Sequence, residues 1–143
     1  MFLGEFEHTV DKKGRVTIPA RFRDRLAVGL VVTKGIDLCL WLYPMDIWAT
    51  LAEKIDKLPL TNPRARGFRR QVFGGAFDVT PDRQGRITLP SCLREYANID
   101  NSATIIGLHD HCEIWNPEQW KELQVQSYND PEGRAAQYES LGI

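Results

Sequence analysis

The period of apolar and polar residues changes several times along the chain, and each change marks an element. Val16-Thr17-Ile18 and Ile87-Thr88-Leu89 alternate strictly, as strands with one buried face do. Behind each stands a proline, Pro19 or Pro90, suited to a first helical position where no N–H is needed. Phe22 with Leu26, and Leu93 with Ala97, then recur at the i, i+4 spacing that turns one face of a short helix to a core. Val31-Val32 with Leu38 to Tyr43, and Thr104 to Ile106 with Cys112 to Trp115, read as strand pairs around turns containing Gly or Asp. Between Pro44 and Gly75 the period becomes helical. Ile47, Leu51 and Ile55 form one stripe, and Phe68, Val72 and Phe73 form another opposite Arg64, Arg66, Arg69 and Arg70, which predicts a helical hairpin. From Tyr128 onward periodicity fades around Pro131, Gly133 and Gly142, which predicts a fraying tail.

These elements occur twice. Asp11-Lys-Lys-Gly-Arg-Val-Thr-Ile-Pro-Ala-Arg-Phe-Arg23 aligns without a gap to Asp82-Arg-Gln-Gly-Arg-Ile-Thr-Leu-Pro-Ser-Cys-Leu-Arg94, an offset of 71 residues with Asp, Gly, Arg, Thr, Pro and the final Arg identical. Downstream, an offset of 73 matches Asp37, Cys39 and Pro44 to Asp110, Cys112 and Pro117, and Trp48 matches Trp120 once one residue is dropped. The chain divides into a first repeat over 5–47, connecting helices over 48–75, a second repeat over 76–119, and a C-terminal helix and tail over 120–143. Units this small bury little alone, so the two are expected to pack as pseudo-symmetric halves of one barrel-like α+β body.

With 143 residues, 43% of them hydrophobic and 26% charged, the composition is that of a folded soluble chain. No apolar run approaches the roughly 20 residues that span a bilayer, and a cytoplasmic location is the default. Cys39, Cys92 and Cys112 are widely spaced, with no C-x-x-C pair, and read as buried small hydrophobes. The net charge of −1 conceals a division. Residues 1–75 carry 13 Lys and Arg against 8 Asp and Glu, whereas residues 76–143 carry 5 against 11. An uneven solvated surface would give this asymmetry, and so would one half facing a polyanion.

The turns that open the duplicated segments hold the candidate chemistry. Arg15 follows Gly14, which permits a sharp turn, and a guanidinium can grip guanine O6 and N7 or a phosphate with two parallel bonds. Lys12 and Lys13 can add phosphate contacts, and Asp11 can accept loop N–H groups or brace the arginine. In the second copy the same places hold Arg86, Gly85, Arg83 and Asp82. The segment 11–26 carries net +4 against +1 for 82–97, which points to the first repeat as the main reader. An Asp11 to Arg15 salt bridge that merely closes a turn is the competing explanation.

The duplicated Asp-x-x-Gly-Arg turn leading into strand and Pro resembles the MraZ family of bacterial regulators, which carry two SpoVT-AbrB-type repeats. Met-Phe-Leu-Gly4, Leu40 to Pro44, the Arg69-Arg70 to Ala76 joint and Glu113-Ile-Trp115 extend the likeness from Met1 to about Trp120. The resemblance implies a swapped-hairpin, double-split β-barrel and assembly of subunits into a ring. It further implies transcriptional regulation, repression being the favoured sense, of a division and cell-wall gene cluster that includes the protein's own promoter. Repeated boxes of double-stranded DNA would face the Asp-x-x-x-Arg loops, which fall here on Asp11 with Arg15 and on Asp82 with Arg86. No cofactor, metal or small-molecule substrate is implied, and the location would be the cytoplasm, at the nucleoid.

Three rivals stand beside this reading. An AbrB-like antitoxin would use one such unit and an unstructured tail. A metal-dependent enzyme would use His109 and His111, which share a face if they lie on one strand, with Cys112 pointing away. A purely structural ring would use the arginines of the 64–70 helix for subunit contacts alone. The four tryptophans read as core anchors.

Overall fold

In the computed structural model, which describes residues 1–143, both predicted strand-and-helix units are present and they exchange strands. The first repeat contributes β1 (Phe2–Thr9), β2 (Arg15–Thr17), a 3-10 turn (Ala20–Phe22) continuing into α1 (Arg23–Leu26), β3 (Leu30–Lys34) and β4 (Leu40–Pro44). Helices α2 (Met45–Asp56) and α3 (Pro63–Gly74) follow, where the helical period placed them. The second repeat contributes β5 (Phe77–Val79), β6 (Arg86–Thr88), α4 (Ser91–Ala97), β7 (Ser102–His109) and β8 (Cys112–Trp115), and the chain closes with α5 (Pro117–Tyr128) and α6 (Pro131–Glu139).

Strands form an antiparallel six-stranded sheet in the order β1-β7-β8-β4-β3-β5 and a separate ribbon of β2 with β6. The first strand of each repeat therefore pairs with the other repeat: β1 runs along β7, with Phe6 opposite Ile105, and β5 along β3, with Phe77 opposite Val32. The ribbon is also shared, with Arg15 opposite Thr88, Val16 opposite Ile87 and Thr17 opposite Arg86. An isolated bridge between Val10 and Val16 links the first repeat's strands, but the hydrogen bonding does not close into the expected barrel. What is observed is an open sheet with a ribbon laid over it.

One continuous core is shared by the two halves. Val16, Ile18, Phe22, Leu26, Leu40 and Leu42 are buried in the same cluster as Ile87, Leu89, Leu93, Ala97, Ile105 and Ile114. The rings of Phe2 and Phe6 meet Phe22 edge-on at 5.1 and 5.3 Å, tying the edge strand β1 to that cluster. A smaller cluster gathers Cys39, Ile106 and Trp115, with Trp41 and Trp120 against it. Trp48 packs on Phe73 at 5.9 Å and joins α2 to α3.

Three expectations are corrected, and one element is new. Leu40 and Leu42 of β4 face the same core as Cys112 and Ile114 of β8, which relates the two strands by an even offset, 72 residues and not 73. The residue lost from the second copy thus falls in the β7–β8 turn, and the matches of Cys39 to Cys112 and Pro44 to Pro117 are coincidences of composition. Cys92 is exposed, unlike Cys39 and Cys112, because it sits on the outer side of α4. The tail beyond Tyr128 forms α6, opened by Pro131 at its first position and by Asp130, whose carboxylate accepts the Gly133 N–H at 3.0 Å. Finally, β1 is a strand that the sequence pattern did not announce.

Candidate nucleic-acid interface

The ribbon has two unlike faces because its side chains alternate. Val16 and Ile87 point into the core, and Arg15, Thr17, Arg86 and Thr88 form the opposite face. Arg15 and Arg86 stand on a diagonal of the pairing, with backbones roughly 7–8 Å apart. The two turns lie at opposite ends of the ribbon. Leu89 donates its N–H to the Gly14 carbonyl and Ile18 to the Gly85 carbonyl, each at 2.8 Å.

Both turns are built by the same hydrogen bonds. In the first, the Asp11 carboxylate accepts the N–H of Lys13 at 3.0 Å and of Arg15 at 2.9 Å, and the Gly14 N–H reaches the Asp11 carbonyl at 2.9 Å. In the second, Asp82 accepts from Gln84 and Arg86, both at 2.9 Å, and the Gly85 N–H reaches the Asp82 carbonyl at 3.0 Å. Such closure needs a left-handed residue, and Gly14 has φ +80° and Gly85 φ +74°. The Arg15 N–H lowers the Asp11 carboxyl below its ordinary range, helped by the guanidinium and the Lys13 N–H and opposed by partial dehydration. Asp82 is lowered in the same way by Arg86 and Gln84.

The salt bridge weighed from the sequence exists in both copies, and its geometry leaves the arginines available. Arg15 donates Nε to Asp11 at 2.6 Å and Arg86 donates Nε to Asp82 at 2.8 Å. No hydrogen bond within the chain engages either Nη atom of these arginines, and their side chains are 31% and 28% exposed. Each carboxylate thus braces one edge of a guanidinium and leaves the far edge, with its paired N–H groups, without a partner in the chain. Lys12, Lys13 and Arg83 are exposed at the turn tips. Among the remaining cations of the first segment, Arg25 is held by Asp46 through two bonds of 2.9 Å, so part of the charge counted there serves to tie α1 to α2.

The rival sites fare differently. His109 and His111 do not share a strand face. His109 ends β7 at φ +74°, and Leu108 N–H bonds to the His111 carbonyl at 2.8 Å, so a tight turn separates them. The His111 ring stacks on Tyr43 with centroids 4.6 Å apart and hydrogen-bonds Asp110 at 2.7 Å, and no three His, Cys, Asp or Glu side chains converge as metal ligands. Burial raises the Cys112 thiol to about 12, far from a thiolate. In α3, Arg66 donates to the Leu60 carbonyl at 3.0 Å and Arg69 to the Ile55 carbonyl at 3.1 Å, which assigns two of its four arginines to the α2–α3 connection. No helix is long and apolar enough to cross a membrane.

Sequence reasoning missed Arg23 and Arg94. They end the aligned segment as an identical pair, and that identity was the available signal.

The chain is thus a duplicated α+β fold whose shared ribbon presents two carboxylate-braced arginines. The model of the family described as "MraZ protein, putative antitoxin-like" matches residues 1–71 and again 72–138. The chain is 51% identical over 143 residues, the whole of both chains, to the transcriptional regulator MraZ of Herpetosiphon aurantiacus. It is 54% identical over 120 residues, 84% of each chain, to that of Thermomicrobium roseum, and 45% identical over the full 143 residues to that of Desulfitobacterium hafniense. The chain belongs to the MraZ family.

Proposed function

We propose that the protein is a transcriptional regulator, not an enzyme, that binds double-stranded DNA through the outer face of the β2–β6 ribbon. The observation that carries this is the state of Arg15 and Arg86: each Nε is fixed by an aspartate, and both Nη atoms are left without a hydrogen-bond partner in the chain. A two-stranded ribbon fits the major groove, and a pre-oriented guanidinium edge matches guanine O6 and N7 or a phosphate. Lys12, Lys13 and Arg83 would supply phosphate contacts that fix register, with Asp11, Gly14, Asp82 and Gly85 maintaining the turns. The first turn is the stronger reader, because its tip holds two lysines where the second holds Arg83 and Gln84.

The strand exchange between repeats agrees with a swapped-hairpin, double-split barrel in which the repeats span 5–47 and 76–119. Assembly of copies into a ring would let several subunits each take one DNA box, raising affinity through effective concentration without a new kind of contact. The operator would lie at the protein's own promoter, ahead of a division and cell-wall gene cluster, with repression as the outcome and the nucleoid as the location. The antitoxin alternative requires an unstructured partner-binding tail, whereas residues 117–139 are largely helical.

Binding of a duplex from upstream of the gene should be abolished by Arg15→Ala and only partly lost in Arg86→Ala. A steep fall of affinity with salt should accompany it, the logarithmic slope being about 0.9 per phosphate neutralised. Equal retention of binding by both variants would overturn the assignment of the ribbon.

A further inference from the structure

Arg23 and Arg94 belong to helices of their own repeats, yet each guanidinium rests on the turn of the other. Arg94, in α4, donates Nε to the Leu89 carbonyl at 3.0 Å and covers Gly14, where an added Cβ would stand 2.7 Å from Nε and 2.8 Å from Cζ. Arg23, in α1, donates Nε to the Ile18 carbonyl at 3.2 Å and covers Gly85, where a Cβ would stand 2.6 Å from Nε. Leu89 and Ile18 are also the residues whose N–H groups bind the Gly14 and Gly85 carbonyls. At each end of the ribbon, therefore, one residue joins its N–H to the glycine of the opposite repeat and its carbonyl to an arginine packed against that same glycine.

We propose that Arg23 and Arg94 are crossed positioning residues: Arg94 of the second repeat sets the turn that presents Arg15, and Arg23 of the first sets the turn that presents Arg86. Three features of the site require an arginine. A planar group can lie against a glycine with no Cβ while donating sideways through Nε, and its charge sits beside the aspartate-closed turn. A lysine keeps the charge but has neither the plane nor the lateral N–H. The identity of Gly and terminal Arg in both copies then has one cause, since each glycine is the floor for the other copy's arginine. The consequence for DNA rests on the function proposed above, whereas the crossed dependence of the turns does not.

The test is amide hydrogen exchange on the full chain without DNA, followed by affinity for the upstream duplex. Arg94→Lys should speed exchange at Lys13, Gly14 and Arg15 about tenfold while leaving Gln84, Gly85 and Arg86 protected, and Arg23→Lys should do the reverse. The untouched turn is an internal control for folding. Faster exchange at a variant's own-repeat turn, equal effects on both turns, or none would overturn the proposal. On the duplex, Arg94→Lys should weaken binding about tenfold although charge is preserved, and this loss should add to the partial loss in Arg86→Ala, whose turn it does not support. Wild-type affinity in Arg94→Lys would reduce the residue to a charge and refute positioning. A wild-type chain that ignores the duplex would refute the DNA reading alone, leaving the exchange result to decide the crossed coupling.

Discussion

A single aspartate does most of the work of each turn. Asp11 receives two backbone N–H groups and one guanidinium edge, and Asp82 repeats the arrangement. All these donors favour the ionised carboxylate, so its value in the folded chain lies below that in the unfolded chain. The sign follows: the contribution to stability is complete above the unfolded value of about 3.9 and is lost as pH falls through the lower, folded value. Carboxyl carbon titration by NMR should place both Asp11 and Asp82 below the ordinary aspartate midpoint, with the protection of the Gly14 and Gly85 amides falling over the same pH interval. Midpoints at the ordinary value would mean the two carboxylates are solvated and the turns are held by backbone alone. At this scale the sequence was informative about identity and less so about state. The spacing of Asp11 and Arg15 left salt bridge and DNA contact as alternatives, and the structure allows both because one guanidinium has two edges.

The elements show where local pattern suffices and where it fails. Strands β2 and β6 and the helices after them were legible because alternation and i, i+4 spacing record burial directly, as the buried Val16, Ile18, Phe22 and Leu26 show. Strand β1 was not legible. It lies at the sheet edge, most of its residues are exposed, and Phe2, Phe6 and Val10 reach the core at a spacing that mimics a helix. Helix α6 was missed for the opposite reason: it buries no side chain, and its signal is confined to Asp130, Pro131 and Glu132 at the start. A helix held by its cap should depend on it. Asp130→Ala should cost about 1 kcal/mol of local helix stability, seen as faster exchange over residues 131–139 with the global unfolding midpoint unchanged. The turns respond differently. Gly14→Ala or Gly85→Ala demands a left-handed alanine, costing on the order of 1–2 kcal/mol, and also displaces Arg94 or Arg23. Urea unfolding should show a loss at least that large, since the arginine must give up its place against the turn. A neutral effect would mean the turn reopens without consequence for the ribbon.

At the scale of the whole molecule the two copies close around one core, and this was the least legible feature because strand partners across the repeats lie from 45 to 107 residues apart. Nothing in Phe6 specifies Ile105, and nothing in Val16 specifies Ile87; only the full set of apolar faces, closed around one core, selects those pairs. The duplication was visible, but the offset between core-facing positions drifts from 71 in the ribbon, Val16 and Ile87, to 72 in β4 and β8, Leu40 and Cys112, so coincident residues such as Cys39 and Cys112 misled the alignment. Strand exchange makes a strong prediction about folding. A chain ended at Gly75 keeps β1, β2, β3 and β4 but removes β7 from β1, β6 from β2, β5 from β3 and β8 from β4. Only the β3–β4 hairpin retains its partner, and an isolated two-stranded hairpin is marginal in water. That fragment should lack dispersed amide and methyl signals in NMR spectra, despite containing a complete copy of the repeat. Conversely, Ile114→Ala, which hollows the core where β8 meets β4, should cost roughly 2–5 kcal/mol and lower a single unfolding transition seen equally by probes in either half. Two separable transitions, or a folded fragment, would show that the halves are independent domains, and the crossed arginines would then have no common scaffold through which to act.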